Sequence, residues 1–349
     1  MNAIRINDRL IGPGPPCFII AEAGVNHNGD LNKAKQLVDV AVDAGADAVK
    51  FQTFKAENIV SASAPKAAYQ RQTTDVAESQ LEMLRRLELS FQAHQKLVSY
   101  CQKKGILFLS TPFDRDSVDL LDTLGVPLFK VGSGEITNLP LLAYIAQKGK
   151  PIILSTGMSH LSEVAEAIQK IYAAGNHQIV LLHCVSNYPA DPADTNLRAM
   201  STLANAFQLP VGYSDHTLGI EIAIAAAALG ACVIEKHITL DKSLPGPDHQ
   251  ASSEPDELAA LVKGVRMVES ALGHGRKEPA ASEENTRAVA RRSLVAACTI
   301  LAGTRLTEDL IAVKRPGTGL PPSAKQYLIG RIVQKEIIAG QVITLEMVM

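Results

Sequence analysis

Several features that would place a protein in a large functional class are missing from this chain. No apolar run reaches the roughly 18 residues of a membrane helix, and the longest, at 222–234, is flanked by Glu221 and Glu235. The apolar run "CFII" is too short for the core of a signal peptide. The formal net charge is only -2, with acids and bases interspersed. We therefore expect binding to neither nucleic acid nor membranes.

Paired cysteines and a dinucleotide-binding fingerprint are missing as well. The cysteines, Cys17, Cys101, Cys184, Cys232 and Cys298, are odd in number and contain no CxxC pair. This pattern predicts free thiols in a reducing cytoplasm. No GxGxxG follows the first apolar strand, which argues against a doubly wound dinucleotide-binding sheet.

The chain does contain short apolar runs that alternate with amphipathic stretches. The runs read as strands at 18–24, 48–54, 106–113, 127–134, 151–157, 178–186, 211–217 and 232–239. The stretches between them, such as 30–45, repeat apolar residues at helical spacing. Eight strand and helix repeats predict an α/β fold of the (β/α)8 TIM-barrel type.

The length of 349 residues suits a barrel of roughly 250 residues with a small appendage. We expect the barrel over 1–273, a charged linker over 274–292 and a small, β-rich domain over 293–349. The polar, Gln-rich segment 55–85 interrupts the barrel pattern after the second strand, which is typical of a functional loop.

Each predicted strand becomes polar at its carboxyl end, where the loops of a barrel form one rim. Lysines with several hydroxyl groups, such as Lys50, Thr111, Lys130 and Ser155, suit a phosphate or a carboxylate. His216 and His237 end the last two strands and would be neighbours that could hold a divalent ion.

Glu235 and Lys236 precede His237 in an apolar strand, where unpaired burial of charge is expensive. We expect them to have a structural role, pairing with each other at the outer rim of the barrel or with the neighbouring strand.

Ten stretches in order along the chain resemble one family. They are "IIAEAGVNHNGD", "AVKFQTFKAENIVS", "ESQLEMLRRLELS", "FLSTPFD", "FKVGSGEITNLPLL", "ILSTGM", "LLHCVSNYPA", "VGYSDHTLG", "EKHITLDKSLPGPDHQASSEPDEL" and "VKRPGTG". The chain is similar to the sialic acid (N-acetylneuraminate) synthase family, which includes legionaminate and pseudaminate synthases. The resemblance implies a TIM barrel followed by an antifreeze-like (SAF) domain.

The resemblance also implies a set of site residues. His216 and His237 would bind Mn²⁺ or Mg²⁺. Phosphoenolpyruvate would be held by Lys50, Thr111, Lys130, Ser133, Ser155 and Ser214. Ser186 would be a further substrate contact, in a place where the family often has Asn. The amino sugar would meet Glu22, Gln52, Phe113, Glu135, Tyr188 and Asp248. Arg315 would reach the sugar from the other subunit of a domain-swapped homodimer.

The implied reaction joins phosphoenolpyruvate to an open-chain N-acetylated mannosamine, giving N-acetylneuraminate and inorganic phosphate. Glu22 and Asp248 are the candidate catalytic carboxylates, and the sequence does not assign their roles. Legionaminate synthesis from 2,4-diacetamido-2,4,6-trideoxymannose stays open, and the loops at 64–83 and 185–192 should discriminate between the sugars.

Two further alternatives stay open. A Schiff-base aldolase would use Lys130 or Lys236. A carbohydrate- or ice-binding module would use the C-terminal domain alone.

Overall fold

A computed structural model describes residues 3–67, 70–71, 74 and 78–348. The chain divides into two compact units, Met1–Gly273 and His274–Met349. The first unit begins with an antiparallel hairpin of β1 (Ile4–Ile6) and β2 (Arg9–Ile11). This hairpin was not predicted from the sequence.

Among the described residues, eight parallel strands form the larger sheet of the first unit. They are β3 (Phe18–Gly24), β4 (Ala48–Thr53), β5 (Leu107–Pro112), β6 (Phe129–Val131), β7 (Ile152–Ser155), β8 (Ile179–Cys184), β9 (Val211–Asp215) and β10 (Val233–His237). Their order is β5-β4-β3-β10-β9-β8-β7-β6, and β5 lies beside β6. The sheet is therefore a nearly closed barrel, and the predicted fold class is confirmed.

Helices follow the strands and cover the barrel. They are α1 (Leu31–Asp43), α2 (Ala56–Ile59), α3 (Gln80–Leu87), α4 (Phe91–Lys104), α5 (Arg115–Thr123), α6 (Leu139–Ala146), α7 (Leu161–Ala173), α8 (Ala199–Phe207), α9 (Glu221–Ala228) and α10 (Pro255–Leu272). Local signals set several boundaries: Asp30 caps α1, and Ser79 with Glu82 forms a capping box on α3. Among the described residues, no helix is long and apolar enough to cross a membrane.

Side chains alternate between two apolar layers along each strand. Phe18 and Ile20 of β3 face the barrel interior, where the hairpin residues Ile4, Ile6 and Ile11 also pack. Ile19 and Ala21 face the helices instead. The hairpin thus fills the amino end of the barrel with apolar groups, and the carboxyl ends of the strands are left for polar side chains.

The predicted functional loop after β4 contains α2 and α3. Its central residues, 68–69, 72–73 and 75–77, lie outside the described residues, as does part of the segment expected to discriminate between sugars.

The second unit contains α11 (Glu284–Ala290), β11 (Ser293–Ala296), β12 (Ile311–Lys314) and α12 (Lys325–Leu328). The strands pair antiparallel, and isolated bridges such as Ile300 with Ile337 extend the pairing. Leu294, Val333 and Ile343 are fully buried in its own apolar core. The segment predicted as a linker therefore contains a short helix.

Candidate active site

A pocket of about 270 Å³ opens at the carboxyl ends of the barrel strands. All but three of the predicted site residues line it. They are Glu22, Lys50, Gln52, Thr111, Phe113, Lys130, Ser133, Ser155, Ser186, Tyr188, Ser214, His216 and His237. The alternation along the strands explains part of the convergence, because Glu22, Lys50 and Lys130 each lie two residues after an apolar residue of the barrel interior.

Two lysines and two carboxylates form a buried network in this pocket. Lys50 Nζ lies 2.6 Å from Glu22 Oε2 and 3.6 Å from Glu235 Oε2. Lys130 Nζ lies 3.3 Å from Glu235 Oε1. Lys50 also donates to Thr111 Oγ1 at 3.0 Å, and Lys130 donates to Ser155 Oγ at 2.8 Å. These contacts hold the two ammonium groups in place, where they could also donate hydrogen bonds to anionic oxygens of a ligand.

The network separates the acidities of the two carboxylates. Burial raises the pKa of Glu22 to about 7, although Lys50 acts in the opposite direction. Burial would also raise the pKa of Glu235, but Lys130 and Lys50 outweigh it and lower that pKa to about 2. Two carboxylates whose environments drive their pKa values apart are typical of a site that moves protons. Glu22 is the one poised near neutral pH.

A small cradle of hydroxyl groups surrounds Gly157, just after β7. A Cβ at this position would lie 2.4 Å from Ser186 Oγ, 2.8 Å from Ser133 Oγ and 3.0 Å from Cys184 Sγ. The Gly157 N–H donates to Ser133 Oγ at 3.0 Å. Glycine at this position leaves room for the hydroxyl groups to approach the backbone closely.

The imidazoles of His216 and His237 are neighbours, with ring centroids 5.5 Å apart. His216 Nδ1 lies 2.6 Å from the Val185 carbonyl oxygen, so Nδ1 carries the proton and Nε2 presents its lone pair. His237 Nδ1 is buried and has no hydrogen-bond partner among the described residues. Burial lowers the pKa of both histidines, which are therefore neutral, the form that binds metals.

Three predicted site residues lie outside the residues that line the pocket. Glu135 accepts a hydrogen bond from Asn138 at 2.7 Å in the turn after β6. Asp248 is buried in the loop after β10, and burial raises its pKa to about 6. Arg315 belongs to the second unit, where it is exposed.

The outer-rim pair of Glu235 with Lys236 is absent: the Glu235 carboxylate lines the pocket, where it accepts a hydrogen bond from Ser214 on the neighbouring strand β9 at 2.8 Å. In β10, Glu235 and His237 are two residues apart and therefore share a face. Period-two alternation was the signal that could have found it. Gly132, Gly134, Met158 and Cys184 also line the pocket and were not predicted as site residues.

Lys236 faces away from the pocket, as the alternation requires. Its Nζ lies 2.7 Å from Asp215 Oδ2 on the neighbouring strand β9 and donates to the Thr217 carbonyl oxygen at 2.5 Å. The structural pairing expected for Lys236 is therefore present. This geometry removes Lys236 as a nucleophile for a Schiff base in the pocket, since the amine is committed on the outer side of the strand.

Two protein-family models match this chain. The NeuB family model matches residues 37–277, and a SAF domain model matches residues 291–349. The chain belongs to the NeuB family. The resemblance to the sialic acid synthases that the sequence motifs indicated is thereby confirmed.

Several relatives of this NeuB-family chain are named as synthases. The N,N'-diacetyllegionaminic acid synthase of Campylobacter jejuni subsp. jejuni serotype O:2 is 52% identical over 91% of this chain and 96% of its own length. The N-acetylneuraminate-9-phosphate synthase of Mus musculus is 42% identical over 93% and 90%. The N-acetylneuraminic acid synthetase of Leptospira borgpetersenii serovar Hardjo-bovis, solved with citrate, is 40% identical, with a TM-score of 0.72 over 82% and 95%. The chain is an enzyme of this type.

Proposed function

We propose that this NeuB-family chain condenses phosphoenolpyruvate with an open-chain N-acetylated amino sugar, releasing inorganic phosphate. One observation carries the proposal: a single barrel pocket holds two buried lysines, a ring of hydroxyl groups and two neutral histidines. The first two groups suit a phosphorylated carboxylic acid, and the histidines suit an ion that activates a carbonyl.

Phosphoenolpyruvate is expected on the side of the pocket formed by β6 to β9. Lys130 with Ser155 offers charge and a directed hydroxyl group, and the Ser133 and Ser186 hydroxyl groups beside Gly157 offer two more donors. Lys50, with Thr111, reaches the centre of the pocket from β4. Burial lowers the pKa of Lys130, whereas Glu22 and Glu235 overcome burial to raise that of Lys50. Lys50 is therefore the more secure cation for the ligand.

His216 and His237 are the residues that would hold a divalent ion, Mn²⁺ or Mg²⁺. The described residues contain no cluster of three or more His, Cys, Asp or Glu that could hold a metal, so substrate and water oxygens would complete the coordination. The donor set fits, because both rings are neutral and His216 is oriented by its hydrogen bond to Val185. When bound, the ion would polarise the aldehyde of the sugar as a Lewis acid.

The carboxylates would handle the protons of the reaction. Carbon 3 of phosphoenolpyruvate forms a bond to the aldehyde carbon, whose oxygen takes up a proton and becomes a hydroxyl group, and water adds to carbon 2 with loss of one proton. The bond from carbon 2 to the phosphate oxygen then breaks, and the remaining hydroxyl proton leaves with the inorganic phosphate, so that carbon 2 becomes a ketone. Glu22, with its pKa near 7, is the candidate to take the proton from that water. Lys130 would stabilise negative charge on the departing phosphate.

We propose 2,4-diacetamido-2,4,6-trideoxymannose as the first substrate to test, with N-acetylmannosamine second. The relative named for N,N'-diacetyllegionaminic acid is 52% identical, against 42% for the relative named for N-acetylneuraminate-9-phosphate. This ranking reverses the order that the sequence motifs favoured, since those motifs are common to both branches of the family.

A domain-swapped homodimer in the cytoplasm completes the proposal. In this dimer the partner subunit's Arg315 would contact the sugar. Arg315 is exposed and forms no ion pair among the described residues, so its guanidinium group is available for such a contact.

The test is phosphate release from purified, metal-stripped protein given Mn²⁺ and phosphoenolpyruvate, with each amino sugar in a separate reaction. Release with the diacetamido sugar supports legionaminate synthesis, and release confined to N-acetylmannosamine supports N-acetylneuraminate synthesis. Absence of release with both, at several metal concentrations, overturns the proposal. Borohydride trapping with pyruvate then tests the aldolase alternative at Lys130.

A further inference from the structure

Two buried histidines outside the pocket have complementary unpaired atoms. His27, in the loop after β3, and His249, in the loop after β10, are both 0% exposed. The Nε2 atom of each ring has no hydrogen-bond partner among the described residues. A buried polar atom without a partner destabilises the folded state, so native proteins rarely leave such atoms unpaired.

The hydrogen bonds of the Nδ1 atoms determine which tautomer each ring adopts. His27 Nδ1 accepts the Gly29 N–H at 2.9 Å, so its proton is on Nε2. His249 Nδ1 lies 2.7 Å from Thr239 Oγ1, and that hydroxyl group donates its own proton to the Asp241 carbonyl oxygen. His249 therefore carries its proton on Nδ1. One Nε2 is a donor and the other is an acceptor.

The two loops are tied together around these rings. Asn26 Nδ2 donates to the Ile238 carbonyl oxygen and to Ser252 Oγ, both at 2.8 Å. The Asn26 Oδ1 atom is a third buried atom without a partner among the described residues. Burial, and to a smaller extent His94 and His249, lower the pKa of His27 to about 4. The ring is therefore neutral at physiological pH.

Space beside the His249 ring depends on a glycine. A Cβ on Gly246, at φ +153, would lie 2.7 Å from His249 Cδ2 and 3.0 Å from its Nε2. The same Cβ would lie 2.9 Å from Asn28 Oδ1. Glycine therefore keeps the Nε2 edge of the ring approachable from within the loop.

We propose that one buried water accepts a hydrogen bond from His27 Nε2 and donates to His249 Nε2 and Asn26 Oδ1. One donor and two acceptors are the complement of a water molecule, which makes about three hydrogen bonds at buried sites. A metal ion does not fit this set, because His27 presents a proton.

The water makes His27 and His249 positioning residues for Asp248. Asp248 directly precedes His249, and its carbonyl oxygen accepts a hydrogen bond from Ser252 Oγ at 2.6 Å. The water would therefore link the loop after β3 to the peptide that carries the Asp248 carboxyl group. This role rests on the proposed function, whereas the water itself does not.

A double-mutant cycle tests the water without reference to activity. His27→Asn keeps an acceptor for the Gly29 N–H and loses the outer donor. His249→Asn keeps a donor toward Thr239 and loses the outer acceptor. Each single variant should lower the folding equilibrium constant about tenfold in urea titrations, because it leaves the other ring without its partner. The double variant should also lose only about tenfold, whereas an additive loss of about a hundredfold overturns the shared water.

Kinetics with the preferred amino sugar test the positioning role. His27→Asn should raise the KM of the sugar severalfold with the KM of phosphoenolpyruvate unchanged, and His27→Gln should restore it, because Gln Nε2 replaces the lost donor. The positioning role is overturned if His27→Asn, His27→Gln and the wild type have the same KM for the sugar while the double-mutant cycle shows non-additive losses of stability. A wild type without phosphate release refutes the proposed function, and the folding cycle still decides on the water. His177→Asn, at an exposed histidine, is the control.

Discussion

Substitution of Gly157 by alanine should weaken the binding of phosphoenolpyruvate without unfolding the protein. The added Cβ would lie 2.4 Å from Ser186 Oγ and 2.8 Å from Ser133 Oγ, both closer than real Cβ atoms approach their neighbours. The clashing atoms are ends of serine side chains, which relieve the contact by rotating about χ1. We therefore expect the fold to survive while the two hydroxyl groups turn away from the ligand.

The size of the effect follows from the hydrogen bonds that are lost. A hydrogen bond to a charged group contributes about 1.5–3 kcal/mol, and about 1.4 kcal/mol is tenfold in affinity. Loss of one hydroxyl donor should raise the KM of phosphoenolpyruvate about tenfold, and loss of both about a hundredfold or more. The KM of the amino sugar should change less, because the two hydroxyl groups of the cradle are proposed to bind phosphoenolpyruvate.

The assay is phosphate release at varied phosphoenolpyruvate, with thermal unfolding measured in parallel. Gly134→Ala is the matched control, because Gly134 lines the same pocket and a Cβ there would meet nothing within 4 Å. The reasoning is refuted if Gly157→Ala leaves the KM of phosphoenolpyruvate unchanged, or if Gly134→Ala raises it equally.

Three further predictions concern Glu22, His237 and Arg315. The kcat/KM should rise with pH through about 7, because Glu22, whose pKa is raised to about 7, acts in its deprotonated form. Glu22→Gln should abolish this rise with pH. If the rise persists in the variant, another group is the base, and Asp248, with a pKa of about 6, is the next candidate. His237→Ala should weaken Mn²⁺ binding more than about tenfold by calorimetry, since it removes one of two protein ligands; unchanged affinity excludes His237 as a ligand. Arg315→Ala should raise the KM of the amino sugar about tenfold, and an unchanged KM removes the main support for the domain-swapped homodimer.

The barrel was predictable because its strands are buried on both faces. Runs such as 178–186 are nearly continuous in apolar residues, and each is followed by a helical pattern. The amino-terminal hairpin was not predictable in the same way. Its strands have three residues each, and Asn7, at φ +54, turns the chain with Asp8. An Asn-Asp turn is a weaker hairpin signal than Asn-Gly.

Most of the residues that line the pocket could be predicted from the sequence, whereas their ion pairs and pKa shifts could not. Motif resemblance led to Lys50, Lys130 and His237, which the barrel brings into one pocket. It gave no indication that Glu235 stands between the two lysines, since that fact depends on which strand face the residue occupies. The raised pKa of Asp248 was also beyond the sequence, because it follows from how a long loop is buried.

Glu235 supplies a negative charge between the two lysines of the pocket. Two buried lysines without counter-charges would tend to lose their protons, because burial disfavours the charged form. Glu235, ionised and hydrogen-bonded by Ser214 at 2.8 Å, lies 3.6 Å from Lys50 and 3.3 Å from Lys130. It helps to keep Lys50 protonated before any anion arrives.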